Sequence, residues 1–141
     1  MAEVTSYREE HFEGVSTLWE EVFPNDPPWN RAELAIPAKL AFQPELFLVA
    51  EEAGKIVGTA MAGYDGHRGW LYTVAVKPSH ERHGIGSMLV EEAERRLRKL
   101  GCLKINLQVR SSNADVARFY SRRGYAIEER VNMGKRLTPE G

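Results

Sequence analysis

The sequence predicts a mixed α/β domain around one central sheet, and three features predict it. Between Leu46 and Val76, short apolar runs alternate with turn signals, the pattern of antiparallel hairpins. Gly84 to Leu100 carries an apolar stripe at helical spacing. That helix joins two strand-like segments, Trp70 to Val76 and Lys104 to Val109, and a strand–helix–strand crossover places its strands parallel.

Each element has a local reason. Val4 to Tyr7 can form a short first strand. From His11 to Phe23, Phe12, Val15, Leu18, Trp19 and Val22 fall on one helical face. Pro24-Asn25-Asp26-Pro27-Pro28 stops that helix. Asn30 is placed to cap the next helix, with Glu33 three residues on, and Pro37 is expected to split it into two short pieces before Phe42. Leu46 to Glu51 and Ile56 to Tyr64 are strands joined by the tight turn Ala53-Gly54-Lys55. Gly58, Ala60 and Ala62 share one face of the second strand, where small side chains permit close packing. After Trp70 to Val76, Ile85, Met88, Leu89, Ala93, Leu97 and Leu100 form the apolar stripe of the long helix, and Gly101 is the expected stop. Glu91, Glu92 and Glu94 precede Arg95, Arg96 and Arg98 by four residues, the favourable order for pairing on an exposed face. A short helix, Asn113 to Arg123, ends at Gly124. Tyr125 to Leu137 reads as strand again.

The chain has 141 residues and a net charge of −1 from 19 basic and 20 acidic side chains. That size suits a single domain with its own core. The charge balance argues against a dedicated nucleic-acid binder. One cysteine, Cys102, allows no internal disulfide and no cysteine-rich zinc site. His11, His80 and His83 show no metal-ligand spacing with carboxylates, so no metal is expected. The N-terminus lacks a signal-peptide pattern, and no apolar run approaches a membrane span, so the expectation is a cytoplasmic protein with no membrane partner.

The chemistry is concentrated in two stretches. In Val74-Ala75-Val76-Lys77-Pro78-Ser79-His80-Glu81-Arg82-His83-Gly84-Ile85-Gly86-Ser87, a strand runs through a glycine-bearing loop into a helix. The first turn of a helix offers unpaired N–H groups and partial positive charge, and glycines leave room for a phosphate to reach them. The same glycines would equally serve a tight connection. Neither the Walker A pattern nor Gly-x-Gly-x-x-Gly is present, since Leu89 stands at the third glycine position of the latter. The second stretch is Ser112-Asn113-Ala114-Asp115-Val116-Ala117-Arg118-Phe119-Tyr120-Ser121-Arg122-Arg123-Gly124-Tyr125. Spacing alone reads Asn113 as a helix cap and Tyr120 as a core aromatic.

Taken together, the two stretches resemble the GNAT N-acetyltransferase family. The first is similar to its pyrophosphate loop, Arg/Gln-x-x-Gly-x-Gly, with Glu81 at the Arg/Gln position. The second is similar to its pattern Asn-x-x-Ala-x-x-Phe-Tyr-x-x-x-Gly-Phe/Tyr, carried by Asn113, Phe119, Tyr120, Gly124 and Tyr125. Leu107 to Asn113 resembles the members that acetylate the N-terminus of a ribosomal protein, with Gln108 where those usually have Glu.

The resemblance implies a GNAT fold over residues 1–141: a mixed sheet of six to seven strands, antiparallel hairpins first, a splayed parallel pair, and about four flanking helices. Residues 8–45 would form the acceptor side, 46–110 the core sheet with the phosphate loop, and 111–137 the C-terminal helix and strands. It implies acetyl-CoA as donor. Val74, Ala75 and Val76 would bind the pantetheine arm, and the Val74 N–H would polarise the thioester carbonyl, where a fixed donor lowers the barrier. Arg82, His83, Gly84, Ile85, Gly86 and Ser87 would hold the pyrophosphate. Asn113 would contact the cofactor. Tyr120 would protonate the departing thiolate. The acceptor would be an amine, on a peptide or a small molecule, and a homodimer is compatible with the family. Because Gln108 cannot take a proton, the base is sought among Glu21, Asp26, Asp65, His67 and Tyr72. An acetyl-CoA-binding sensor with little turnover is the competing reading.

Overall fold

A computed structural model describes residues 1–138. They divide into a first unit, Met1–Leu107, and a second that begins at Gln108. The first unit contains β1 (Glu3–Ser6), α1 (Phe12–Val22), α2 (Ala32–Leu40), β2 (Phe47–Glu52), β3 (Lys55–Tyr64), β4 (Gly69–Val76), α3 (Ile85–Lys99) and β5 (Ile105–Leu107). The second contains α4 (Ala114–Ser121).

The sheet has strand order β1-β2-β3-β4-β5, antiparallel throughout except for the parallel β4–β5 pair. Both faces are covered. One face holds Tyr7, Val15, Leu18, Trp19, Ile36, Phe47, Val49, Met61 and Ala75 in a core beneath α1 and α2. Tyr7 stacks on Phe47 with centroids 4.5 Å apart. The other face takes α3 through its buried Ile85, Leu89, Val90, Ala93 and Leu97. Covering both faces explains the unbroken apolar run of β2, where alternate residues point to different helices and none meets water.

Gly58 is the closest point of the α3 packing. A Cβ there would stand 2.9 Å from both Ile85 Cγ2 and Leu89 Cδ1, inside van der Waals contact. The small residues expected on this face thus have a structural use. Gly69 plays the same part for Cys102, whose Sγ would lie 2.7 Å from an added Cβ.

Three expectations need correction. The described residues contain five strands rather than six or seven, because Tyr125 to Leu137 has no paired strand. Alternation marks a segment able to join a sheet, but a strand exists only with a partner ladder. Second, α2 is not split at Pro37; it runs continuously from Ala32 to Leu40. Proline removes one donor in a helix of about two and a half turns, and burial of Ala32 and Ile36 holds the helix together. Third, Asn30 lies in a single 3-10 turn, Pro28–Asn30, and the helix begins after Arg31 without a side-chain cap. Residues 139–141, the end of the expected domain, lie outside the described residues.

Candidate functional site

β4 is the strand on which the first unit's candidate residues converge. Its register with β3 pairs Tyr72 with Met61 and Ala75 with Thr59. Thr73 and Val74 therefore share the space opposite Ala60, a β-bulge with one residue to spare. Thr73 has φ +51. A β-branched side chain is rarely found there, and the strain is roughly 1–3 kcal/mol. On its other edge β4 pairs with β5 at Gly69, Trp70 and Leu71 and no further among the described residues. From Tyr72 to Val76 the strand continues past its last β5 rung.

The strand leads directly into the loop. Lys77 N–H still donates to the Val57 carbonyl at 2.8 Å, so the chain leaves the sheet one residue later. A 3-10 turn, Pro78–His80, follows. His80 anchors it, with Nε2 3.1 Å from Glu52 Oε2 and Nδ1 2.9 Å from Ser79 Oγ. Arg82 (φ +67) and Gly84 (φ +81) are both left-handed. Glu81, Arg82, His83 and Gly84 are exposed. Gly84 caps α3 and supplies no side-chain acceptor. The first intrahelical bond runs from Met88 N–H to Gly84 O at 3.1 Å, so the N–H groups of Ile85 and Gly86 precede the ladder.

This geometry fits a nucleotide pyrophosphate on two counts. A Cβ placed on Gly84 meets nothing within 4 Å, so the approach is open. Gly84 itself brings no side chain to the cap, so the N-cap residue does not answer the dipole of this four-turn helix. The structure places Val74, Ala75, Val76, Arg82, His83, Gly84, Ile85, Gly86 and Ser87 along one continuous strand–loop–helix path.

Asn113 and Tyr120 lie in the second unit. Asn113 caps α4, its Oδ1 accepting from Val116 N–H at 3.3 Å. Val116 stands where the family pattern has Ala. Tyr120 is buried, with Phe119 and Tyr125 packed edge-on at 5.0 and 5.5 Å. Burial pushes its phenol up to about 12, against a smaller opposite pull from the Arg123 guanidinium. The hydroxyl thus stays protonated across the neutral range. The Gln108 amide donates to Asn132 Oδ1.

The residues considered as base are scattered. Asp65 sits in an exposed turn, accepting from the N–H groups of His67 and Arg68 at 2.8 Å each. Those bonds, Arg68 first, hold its carboxylate below its ordinary range and make it a poorer base. His67 belongs to the same turn. Glu21 pairs with Lys77 at 3.5 Å. Tyr72 lies beside the bulge, and burial raises its phenol. Among the aromatics of residues 8–45, Trp19 is buried, whereas Trp29 and Phe42 are exposed.

Sequence reasoning missed Thr59 and Thr73. Trp19 Nε1–H donates to Thr59 Oγ1 at 2.9 Å, and Thr59 Oγ1–H to the Thr73 carbonyl at 3.2 Å. No pattern in the chain announces contacts spanning 40 and 14 residues.

A model of the acetyltransferase (GNAT) family matches residues 11–125. An acetyltransferase of Sodalis glossinidius is 44% identical over 138 residues, which are 96% of this chain and 95% of that protein. Among solved structures, an aminoglycoside N-acetyltransferase, AAC(6')-Iy, in complex with CoA aligns with a TM-score of 0.79 at 17% identity, over 98% of this chain and 96% of that one. The ribosomal-protein-S18-alanine N-acetyltransferase of Escherichia coli aligns with a TM-score of 0.72 at 24% identity, over 88% of this chain and 77% of that one.

Proposed function

Since the chain belongs to the GNAT acetyltransferase family, we propose that it moves an acetyl group from acetyl-CoA directly onto an amine of a peptide or small molecule. The observation that carries this reading is the bulged end of β4 passing into the uncapped start of α3. We further propose that residues 1–141 serve this reaction as one domain, with 8–45 on the acceptor side.

Acetyl-CoA, when bound, supplies the activated acyl carbon. The protein's part is to hold and polarise it. Val74 to Val76 present backbone groups on a strand edge that has run past its β5 partner. The N–H groups at the start of α3, with Arg82 and His83 nearby, offer positive potential to a pyrophosphate. Glu81 is exposed and so can turn outward, away from those phosphates. Tyr120, by its match to the family motif and its protonated phenol, is the proposed proton donor to the departing thiolate.

The direct test is calorimetric titration with acetyl-CoA and with CoA, followed by thiol release over a panel of amines. Micromolar binding and amine-dependent release are expected. Gly84→Asp should weaken CoA binding by about tenfold or more, since it sets a negative side chain at the phosphate approach. Unchanged affinity would make the loop a simple connection. Tyr120→Phe should lower kcat by roughly 10- to 100-fold and leave the CoA dissociation constant within about twofold. Equal losses in both would remove Tyr120 from the chemistry. Tight binding without release for any amine would favour a sensor.

A further inference from the structure

The bulge in β4 is held from behind by a short relay. A strained backbone persists only where its surroundings over-determine it. Trp19 on α1 and Thr59 on β3 do so at Thr73, through hydrogen bonds of 2.9 and 3.2 Å. Chemistry fixes the direction of this chain. An indole N–H can only donate, and a hydroxyl has a single proton. The Thr59 oxygen accepts from Trp19, so its proton goes to the Thr73 carbonyl. Trp19 is 4% exposed and Thr59 0%, so the first bond is closed to water, while the bond to the Thr73 carbonyl is half-buried.

The Thr73 carbonyl and the Val74 N–H belong to one peptide unit. Such a unit is planar, and the described residues contain no cis bond, so the two groups point in opposite directions. Fixing the carbonyl toward Thr59 on β3 therefore aims the Val74 N–H away from β3, toward the edge where β5 rungs end at Leu71. A hydrogen bond accepted by the carbonyl also polarises the same amide and strengthens its N–H as a donor.

We propose that Trp19 and Thr59 are positioning residues for the acyl-transfer step, setting the direction and strength of the Val74 N–H through the carbonyl of Thr73. The proposal rests on the acetyltransferase reading for its catalytic consequence, but the relay itself is a property of the free protein. Neither residue contacts the reacting atoms. No bond is made or broken in the relay, and no proton leaves it.

The experiment compares wild type with Thr59→Val, Thr59→Ser and Trp19→Phe. Two readouts are taken: the Thr73 and Val74 backbone resonances of the free protein, and kcat, acceptor KM and CoA affinity. In Thr59→Val, the Thr73 carbon shifts should leave the left-handed range and the Val74 amide should move. Its kcat should fall roughly 10- to 100-fold, as for a weakened oxyanion donor. Its CoA affinity and acceptor KM should stay within about twofold. Thr59→Ser keeps the hydroxyl and should restore both readouts. Trp19→Phe leaves the hydroxyl's proton in place and should fall between. Wild-type Thr73 shifts and kcat in Thr59→Val would overturn the proposal. So would a Thr59→Ser protein as impaired as Thr59→Val, which would assign the effect to packing. If Thr59→Val fails to fold, an unmoved Val74 amide in Trp19→Phe overturns it instead. If wild type releases CoA with no amine, the acetyltransferase reading falls alone, and the resonances still decide whether the relay holds the bulge.

Discussion

At the scale of single residues, Lys39 is a cation held where its charge is costly. It is buried on α2, its ammonium donating to the Ala62 carbonyl and lying 5.4 Å from the centre of the Tyr72 ring. Burial pulls its pKa from 10.5 down to about 8, against a smaller upward pull from Glu45. Below about 8 both folded and unfolded chains hold the proton, and the desolvation cost is fully present. Between about 8 and 10.5 the unfolded chain keeps a proton that the folded one has released, so stability rises with pH across that window and then levels. Lys39→Met should remove that rise. The check is the difference between the two proteins' urea-unfolding free energies from pH 7 to 11; a constant difference would mean that Lys39 titrates normally. Nothing in the sequence marked this lysine, because its depth is set by how α2 lies on the sheet. Gly84 ahead of α3 was legible, since its left-handed backbone requirement is local.

At the scale of elements, Arg96 joins parts that a strand-by-strand reading keeps apart. On α3 it pairs with Glu92 at 2.8 Å, and its Nη1 reaches Ser6 Oγ on β1 and the Glu45 carbonyl ahead of β2, each at 2.7 Å. The expected four-residue pair was therefore visible in the sequence, but its second use was not. Arg95 reaches back to the same carboxylate, and the two guanidiniums, Arg95 first, hold Glu92 down at about 2. Arg96→Met keeps the aliphatic stem and loses the fork. We expect a stability loss of about 1–3 kcal/mol, because a charged donor leaves a carbonyl and a carboxylate behind. An unmoved denaturation midpoint would show that water replaces the guanidinium. The continuity of α2 teaches the converse lesson. Pro37 is a strong local signal against a helix, and tertiary burial of Ile36 outweighed it.

At the scale of the whole molecule, the order of elements from β1 to α4 was legible because each has its own period or punctuation. The sheet's continuation was not: Tyr125 to Leu137 alternates well enough, but pairing is a property of two segments and cannot be read from one. The bulge escaped for a related reason. It is a count of two residues against one, visible only once β3 and β4 are laid side by side. That same sheet, covered on both faces, has a consequence for how the chain can vary through descent. Gly58 is confined by α3 and Thr59 by the relay, one on each side of β3. Two neighbouring codons thus answer to unrelated demands, and relief of one offers nothing to the other. Drift through this dipeptide should be slow even in lineages whose surrounding helices have diverged, so β3 would preserve a record of common descent after those helices have lost theirs.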